Sequence, residues 1–424
     1  MANERIQSIQ MSSFGSQQTD SSSVSVQMVR NPPVRVTPKL IFGPFYYFLR
    51  FSTFNMSPAV TGPNRTRPIR ALAILLAFFI NLLMIARFFI LLFDNSEKAI
   101  NFYLFQPFTQ IWAKNNLLAF QVLYGFNSAM ALISWTKTGF LDSFCERLMR
   151  CRQMRLKEHP PPNRAAGRVF LYGILFVLVG IWTTVTVSDA ILYWKNVIGS
   201  HQQKTFDMVM VYGIDPIVYT FASIASAICI LIYVIFNYMI ANEFQIFNEE
   251  LEEEAKQDKL INLDTLSSFN ERHFELVQFL QFANLDLQKL ASGGLLGIGI
   301  ANANSVFWAG GFYKEISTIN RVIATTWSVI LVIMASLNMQ PPSQVQTQLT
   351  QTRKILRSDK ILQGNYEKQV RFHFKEIIAR SKHDYCLRCI ESIKIVPWLQ
   401  GVYYLIVPNC GTIMAIIRRV IDNR

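Results

Sequence analysis

The chain has 424 residues, 51% hydrophobic and only 16% charged, with a formal net charge of +13. Such a composition is too apolar for a soluble globular protein and ordinary for one that crosses a bilayer several times. The excess of Lys and Arg falls between apolar runs, so topology explains it better than nucleic acid, and none is expected as a partner.

Residues 1–38 include the Ser/Gln-rich stretch QMSSFGSQQTDSSSVSVQ at 10–27, which has too few large apolar side chains to fold on its own. No secretory leader is evident, and a disordered cytoplasmic segment is expected here. KLIFGPFYYFLRF at 39–51 is too short to cross and is flanked by cations, which suits an interfacial or re-entrant helix. Apolar runs long enough to cross as helix follow near 71–93, 117–135, 169–194, 216–241, 291–312, 319–339 and 396–417. The expected fold is therefore all-α and polytopic, with seven transmembrane helices.

Lys and Arg set the orientation, because cationic loops stay on the cytoplasmic side. With the N-terminus inside, the inner segments hold 31 cations and the outer ones 9, leaving Arg87 within the first span. Arg87 has a bland explanation in snorkelling to the interface. An N-in, C-out multi-pass protein of the plasma membrane is expected. A G-protein-coupled chemoreceptor of ordinary N-out topology is the alternative. Against it, the outer segments contain no cysteine, no DRY-like sequence closes span three and no NPxxY closes span seven.

Span four ends without a breaker. NEFQIFNEELEEEAKQ at 242–257 keeps Phe244, Phe247, Leu251 and Ala255 on one stripe, with five glutamates between 249 and 254, so the helix runs on into the cytoplasm. NERHFELVQFLQFANLDLQKL at 270–290 repeats the pattern with Leu276, Leu280, Ala283, Leu287 and Leu290. A third amphipathic stretch at 366–378 offers Tyr366, Val370, Phe374 and Ile377 with Lys368, Arg371 and Lys375 on other faces. Charge runs alone are usually solvated surface, but apolar stripes outside the membrane need a partner. An acidic and a basic helix packed below the membrane would supply one. Anchor helices are expected at about 242–290 and 360–395.

Span seven, VPWLQGVYYLIVPNCGTIMAII, is too polar for a plain anchor. It carries Gln400, Asn409 and Thr412 with Pro397, Pro408, Gly401 and Gly411. Leu405, Asn409, Thr412 and Ile416 share a helical face, and a helix facing water tolerates amides and hydroxyls that lipid penalises. Asn409 has a second reading, a bond to a neighbouring helix of the same subunit. The prolines suit a bent gate or plain packing. The tail 418–424 is expected outside.

Enzymatic chemistry finds no Walker loop, GxSxG or HExxH, and no enzyme or cofactor is expected. His383, Cys386 and Cys389 have half of a zinc-site spacing, but the second half is missing, and reduced thiols are expected.

The inverted seven-span topology, the run HFELVQFLQFANLDL at 273–287 and a last span close to the C-terminus resemble the invertebrate gustatory and odorant receptor superfamily, nearest its gustatory-receptor-like branch. The resemblance covers residues 39–417. The signature of that superfamily in the last span is Thr-Tyr, five hydrophobic residues, then Gln-Phe. Here Val402-Tyr403, YLIVP and Asn409-Cys410 stand in those places, so Tyr403 matches and Asn409 is a shorter amide. The resemblance implies a ligand-gated, non-selective cation channel, a homotetramer or a heteromer with related subunits. In it the cytoplasmic helices form a shared anchor, with Leu276, Leu280, Leu287, Val370 and Phe374, and the last span lines the pore. Leu405 would then be a constriction and Asn409 a ring of dipoles. A nematode-type member answering to light or peroxide is an alternative within the superfamily.

The stimulus, a small-molecule tastant on this reading, needs an apolar pocket with few polar groups. Trp112, Phe120, Trp182, Asp189, Tyr219, Asn304, Trp308 and Trp327 lie in or beside the outer halves of spans two to six. Aromatic side chains in spans also serve packing and the interfacial belt. An intramembrane carboxylate such as Asp189 needs a partner, a role or access to water.

The sequence carries its own topology reporter. Its Asn-x-Ser/Thr sequons, Asn55-Met56-Ser57 and Asn64-Arg65-Thr66, both precede span one. With a cytoplasmic N-terminus neither meets the glycosylation machinery, and glycosidase treatment leaves the mobility of the expressed protein unchanged. A glycan on either asparagine would refute the inverted topology.

Overall fold

The computed structural model describes residues 67–93, 110–156, 214–316, 318–364, 367–382, 388–389 and 393–422, all within the unit Val36–Arg424. The segments 1–38 and 39–51, the third candidate span with Trp182 and Asp189, both sequons, Tyr366, and His383 with Cys386 lie outside the described residues.

The described chain is helical apart from one short ribbon. Its helices are α1 (Arg67–Phe93), α2 (Gln110–Thr138), α3 (Phe140–Gln153), α4 (Asp215–Lys256), α5 (Leu263–Gly311), α6 (Thr318–Ser358), α7 (Lys360–Gly364), α8 (Lys368–Lys382) and α9 (Pro397–Asp422). The ribbon, β1 (Arg388–Cys389) and β2 (Ile393–Lys394), is antiparallel, with Arg388 opposite Lys394. Among the described residues six helices, α1, α2, α4, α5, α6 and α9, are long and apolar enough to cross a membrane. This is a multi-pass membrane protein.

Three of these helices are much longer than a bilayer requires. α4, α5 and α6 have 42, 49 and 41 residues, and at about 1.5 Å per residue each is roughly twice the thickness of an apolar core of about 30 Å. Each continues well beyond the membrane. The turn between α4 and α5 is tight: Asp258 takes a positive φ of 54°, and the Asn262 side chain caps α5 by accepting from the Asp264 N–H at 2.9 Å. The stripe Phe244, Phe247 and Leu251 is fully buried, as its spacing predicts.

α6 departs from expectation. The apolar run ends near 339, just before prolines at 341 and 342 that disfavour helix, yet the helix runs through both to Ser358. A proline at 342 cannot donate to the carbonyl of Asn338, four residues back. The Tyr233 hydroxyl of α4 donates to it instead, at 2.9 Å, so the break in the ladder is closed from outside the helix. The 360–395 stretch is likewise divided, into α7, α8 and the β ribbon. The α9 helix extends to Asp422, so most of the expected tail is helix.

α5 is the hub: it packs on α2, α6 and α9, and its lower half meets α3 and α8. Small residues make the close approaches possible, as association between helices in lipid demands. A Cβ at Gly125 of α2 would overlap Ala222 of α4, and one at Gly411 of α9 would overlap the Ala303 carbonyl and lie 2.8 Å from Val306 Cβ of α5. Gly401, on the same helix as Gly411, has nothing within 4 Å.

That contrast gives an internal control. Gly411→Ala is expected to destabilise by about 1–3 kcal/mol, the usual cost of overpacking. Gly401→Ala is expected to be neutral or to stabilise by about 0.5–1 kcal/mol through helix propensity. Thermal unfolding of the purified protein in detergent measures both, and equal effects at the two positions would contradict the crossing described.

Candidate functional site

α9 is fastened along a single stripe. Gly411 and Ala415 are its buried positions, and the Tyr403 hydroxyl reaches the Leu295 carbonyl of α5 at 3.3 Å. Tyr404 bonds Ser336 of α6 and accepts from Gln400 Nε2 at 3.1 Å. At its far end Arg418 pairs with Glu315 at 2.7 Å and stacks over Phe312. The opposite face is bare: Leu405 is 66% and Ile416 56% exposed, and Asn409 and Thr412 lie between them, also exposed. Neither polar group bonds another helix among the described residues. Asn409 donates to its own Leu405 carbonyl at 2.6 Å and Thr412 to the Pro408 carbonyl at 3.1 Å.

A slot opens between α2, α5 and α6. Leu117, Phe120, Gln121 and Tyr124 come from α2, Gly297, Ile298 and Ala301 from α5, and Trp327, Leu331 and Met334 from α6, around about 270 Å³ of empty space, counting the part open to the outside. The lining includes no charged side chain. Leu117, Gln121 and Tyr124 sit at i, i+4 and i+7, so one face of α2 supplies a whole wall. Gly294 lets Tyr124 and Asn338 converge: a Cβ there would lie 3.0 Å from the Tyr124 ring and 3.3 Å from Asn338 Oδ1.

The family described as "Caenorhabditis protein of unknown function, DUF267" matches residues 41–411. The chain belongs to that family. No curated protein matches it. Among solved structures the insect olfactory receptor OR5 from Machilis hrabei is similar at 12% identity and a TM-score of 0.59, over 88% of this chain and 96% of the receptor. The same receptor in complex with eugenol gives a TM-score of 0.62 at 12% identity, over 89% and 98%. This DUF267 chain therefore shares the fold of an insect olfactory receptor.

The residues expected at the stimulus site are not brought together as a set. Phe120 and Trp327 line the slot. Trp112 packs edge-on against Phe307 at 6.2 Å, and Tyr219, Asn304 and Trp308 are buried elsewhere among the helices. Gln121, Tyr124 and Met334 are slot residues that the aromatic pattern passed over. The available signal was Gln121, an amide within a span, one position along from Phe120.

The expected anchor residues of the DUF267 chain are interior ones. Leu276, Leu280, Leu287 and Val370 are buried in the chain's own core, and Phe374 is half-buried against it. An acidic helix does meet basic partners, but through different elements than the sequence suggested. Glu243 of α4 accepts from Arg152 and Arg155 beyond the end of span two, each Nε at 3.0 Å. Glu250 of α4 pairs with Arg272 of α5 and accepts from the Leu156 N–H at 3.2 Å. The basic helix α8 packs instead on α5 and α6. There Asn270 Nδ2 donates to Glu376 at 2.8 Å, and Arg380 donates to the Asn270 side chain. Losing one member of such a buried pair leaves an unpaired charge, so the set fixes helix register more surely than it adds stability. Burial also pushes the Cys145 and Cys151 thiols of α3 up to about 12, which keeps both protonated and unreactive.

His273 sits inside this assembly, fully buried against Phe244 and Phe247. It lies about 27 Å along α5 from the start of span five. Burial, with Arg380 as a lesser cause, lowers its pKa from 6.5 to about 3. The folded imidazole stays neutral in a window where the unfolded one takes up a proton. Its contribution to stability is thus complete above about pH 6.5 and declines as the pH falls toward 3. The melting temperature in detergent should drop between pH 7 and pH 4.5, and more steeply in the parent than in His273→Gln. Parallel curves for the two would show that His273 does not carry the dependence.

Proposed function

We propose that this chain is a chemosensory receptor that works as a ligand-gated, non-selective cation channel of the plasma membrane. In this reading it is a homotetramer or a heteromer with related subunits, N-terminus inside and C-terminus outside, and α9 of each copy lines a shared pore. The supporting observation is the bare face of α9. An amide and a hydroxyl are presented on a long outward surface, bonded only to their own helix, where lipid alone would penalise them. A ring of copies around water gives that surface a polar neighbour. Leu405 and Ile416 then form apolar rings on either side of Asn409 and Thr412.

The slot between α2, α5 and α6 is the stimulus site in this reading, and the complex of the similar insect receptor with eugenol supports a small organic molecule as the stimulus. Residues 1–38 are a cytoplasmic lead-in, 39–417 the receptor and channel, and 418–424 an outer end. The lower halves of α4, α5 and α6 with α8 form the anchor. Because Leu276, Leu280, Leu287 and Val370 hold one subunit together, contacts between copies fall to exposed apolar side chains of the same region, Phe274, Leu285 and Phe372.

Asn409→Asp tests the pore. Up to four carboxylates around the path attract cations by a few kcal/mol at short range with an effective dielectric near 20. The permeability of divalent relative to monovalent cations is expected to rise several-fold, and Asn409→Leu is expected to lower conductance. Whole-cell reversal potentials in mixed-ion solutions, normalised to surface expression, measure both. A robust current whose reversal potential ignores the Asp substitution would remove Asn409 from the pore, and a current abolished by blocking G-protein signalling would mean that another protein conducts.

A further inference from the structure

The polar groups around the slot are unequal. The Tyr124 hydroxyl, itself unbonded, converges with the equally unbonded Asn338 Oδ1 beside Gly294. Gln121 is 5% exposed, and its Nε2 has no hydrogen-bond partner among the described residues. A buried N–H left unbonded is costly, and a bound molecule with an acceptor atom would recover that cost. The remainder of the wall is apolar, with Trp327 and Met334 facing the same space. Without a charged side chain in the lining, an ionic ligand would be stripped of water with nothing to compensate it. Gly297 adds the last element, since a Cβ built on it meets nothing within 4 Å; the missing side chain leaves room in the slot.

We propose that the slot selects uncharged, single-ring or similarly compact apolar molecules carrying one hydrogen-bond acceptor, a carbonyl, ether or hydroxyl oxygen, and that Gln121 Nε2 is the group that reads the acceptor. This rests on the slot being the stimulus site and adds the chemical class of the stimulus. Phe120 and Trp327 provide the ring faces, and Gln121 separates an oxygenated ligand from a hydrocarbon of the same shape. Specificity of this kind is strong, because a site built to bond a polar atom is left unsatisfied by the analogue that lacks it.

Three probes of equal heavy-atom count separate the contributions: acetophenone, its hydrocarbon counterpart isopropylbenzene, and benzoate. Binding is read as thermal stabilisation of the purified full-length chain in lipid nanodiscs, against free probe concentration. Acetophenone should half-saturate at a concentration at least about five-fold below isopropylbenzene, as one recovered hydrogen bond predicts, and benzoate should not stabilise. Gln121→Met should bring the ratio of the two neutral probes to about one while leaving isopropylbenzene within about two-fold of the parent value. Gly297→Val, which has space for its Cβ, should weaken both neutral probes. The proposal is overturned if acetophenone has no advantage in the parent, if benzoate binds as well, or if the advantage survives Gln121→Met. Should Gln121→Met not fold, the parent ratio and the Gly297→Val result decide it. Because none of these readings uses current, a chain that binds as described but does not conduct would defeat the channel and leave the proposal standing.

Discussion

Contact between the backbones of α5 and α9 is the constraint on which the rest depends. In lipid there is no hydrophobic gain in pressing two apolar helices together, so association has to come from close packing and hydrogen bonds. Gly411 lies over the Ala303 carbonyl, and a Cβ on Gly299 would come within 3.2 Å of the Tyr403 hydroxyl. With Tyr404 bonded to Ser336, these few points hold the last helix to the hub. A narrow attachment leaves most of the circumference of α9 exposed, and that exposure gives the outward face of Asn409 and Thr412 its meaning.

The two halves of the molecule are built for different solvents. Within the spans, several polar side chains are tied to backbone carbonyls or to one another, as with Ser305 on the Ala324 carbonyl at 2.6 Å and Ser328 on Asn302 at 3.0 Å. Below them the polar contacts are ionic and cross between helices. Asn248 illustrates the transition: it donates to the Gln348 side chain at 3.0 Å and accepts from Thr352 at 2.6 Å, joining the extensions of α4 and α6 without a charge. Glu243, with Arg152 and Arg155, and Glu250, with Arg272, flank it on the same helix. Glu243 and Glu250 thus find their partners without crossing lipid.

Much of this was legible in the sequence wherever one helix face reports its own burial. The stripe Phe244, Phe247, Leu251 announced the extension of α4, and the leucines at 276, 280 and 287 announced that of α5, because periodicity encodes which side is covered. It does not encode by what, and those leucines are covered by their own chain. The extension of α6 was hidden for a different reason: two prolines argue for a stop, and the hydroxyl that rescues the helix comes from Tyr233, 105 positions away in the sequence. In the slot, aromatic content pointed to Phe120 and Trp327, but Gln121 acquires its significance only from what fails to bond it in three dimensions. Of α9, the shared face of Leu405, Asn409, Thr412 and Ile416 could be read directly. The stripe opposite them, made of glycine and alanine, is silent in hydropathy and speaks only through contact distances.

The proline pair gives α6 a mechanical property that an uninterrupted helix lacks. Two missing donors at 341 and 342 mean that flexure there breaks fewer internal bonds than anywhere else along its 41 residues. Above that joint stand the slot wall, Trp327, Leu331 and Met334, and the Ser336 link to α9; below it stand Gln348 and Thr352, fixed to α4. The upper segment is a lever on a compliant pivot, with Tyr233 as its detent. The slot wall and the Ser336–Tyr404 bond thus lie on one side of that pivot, and the contacts of Gln348 and Thr352 with α4 on the other.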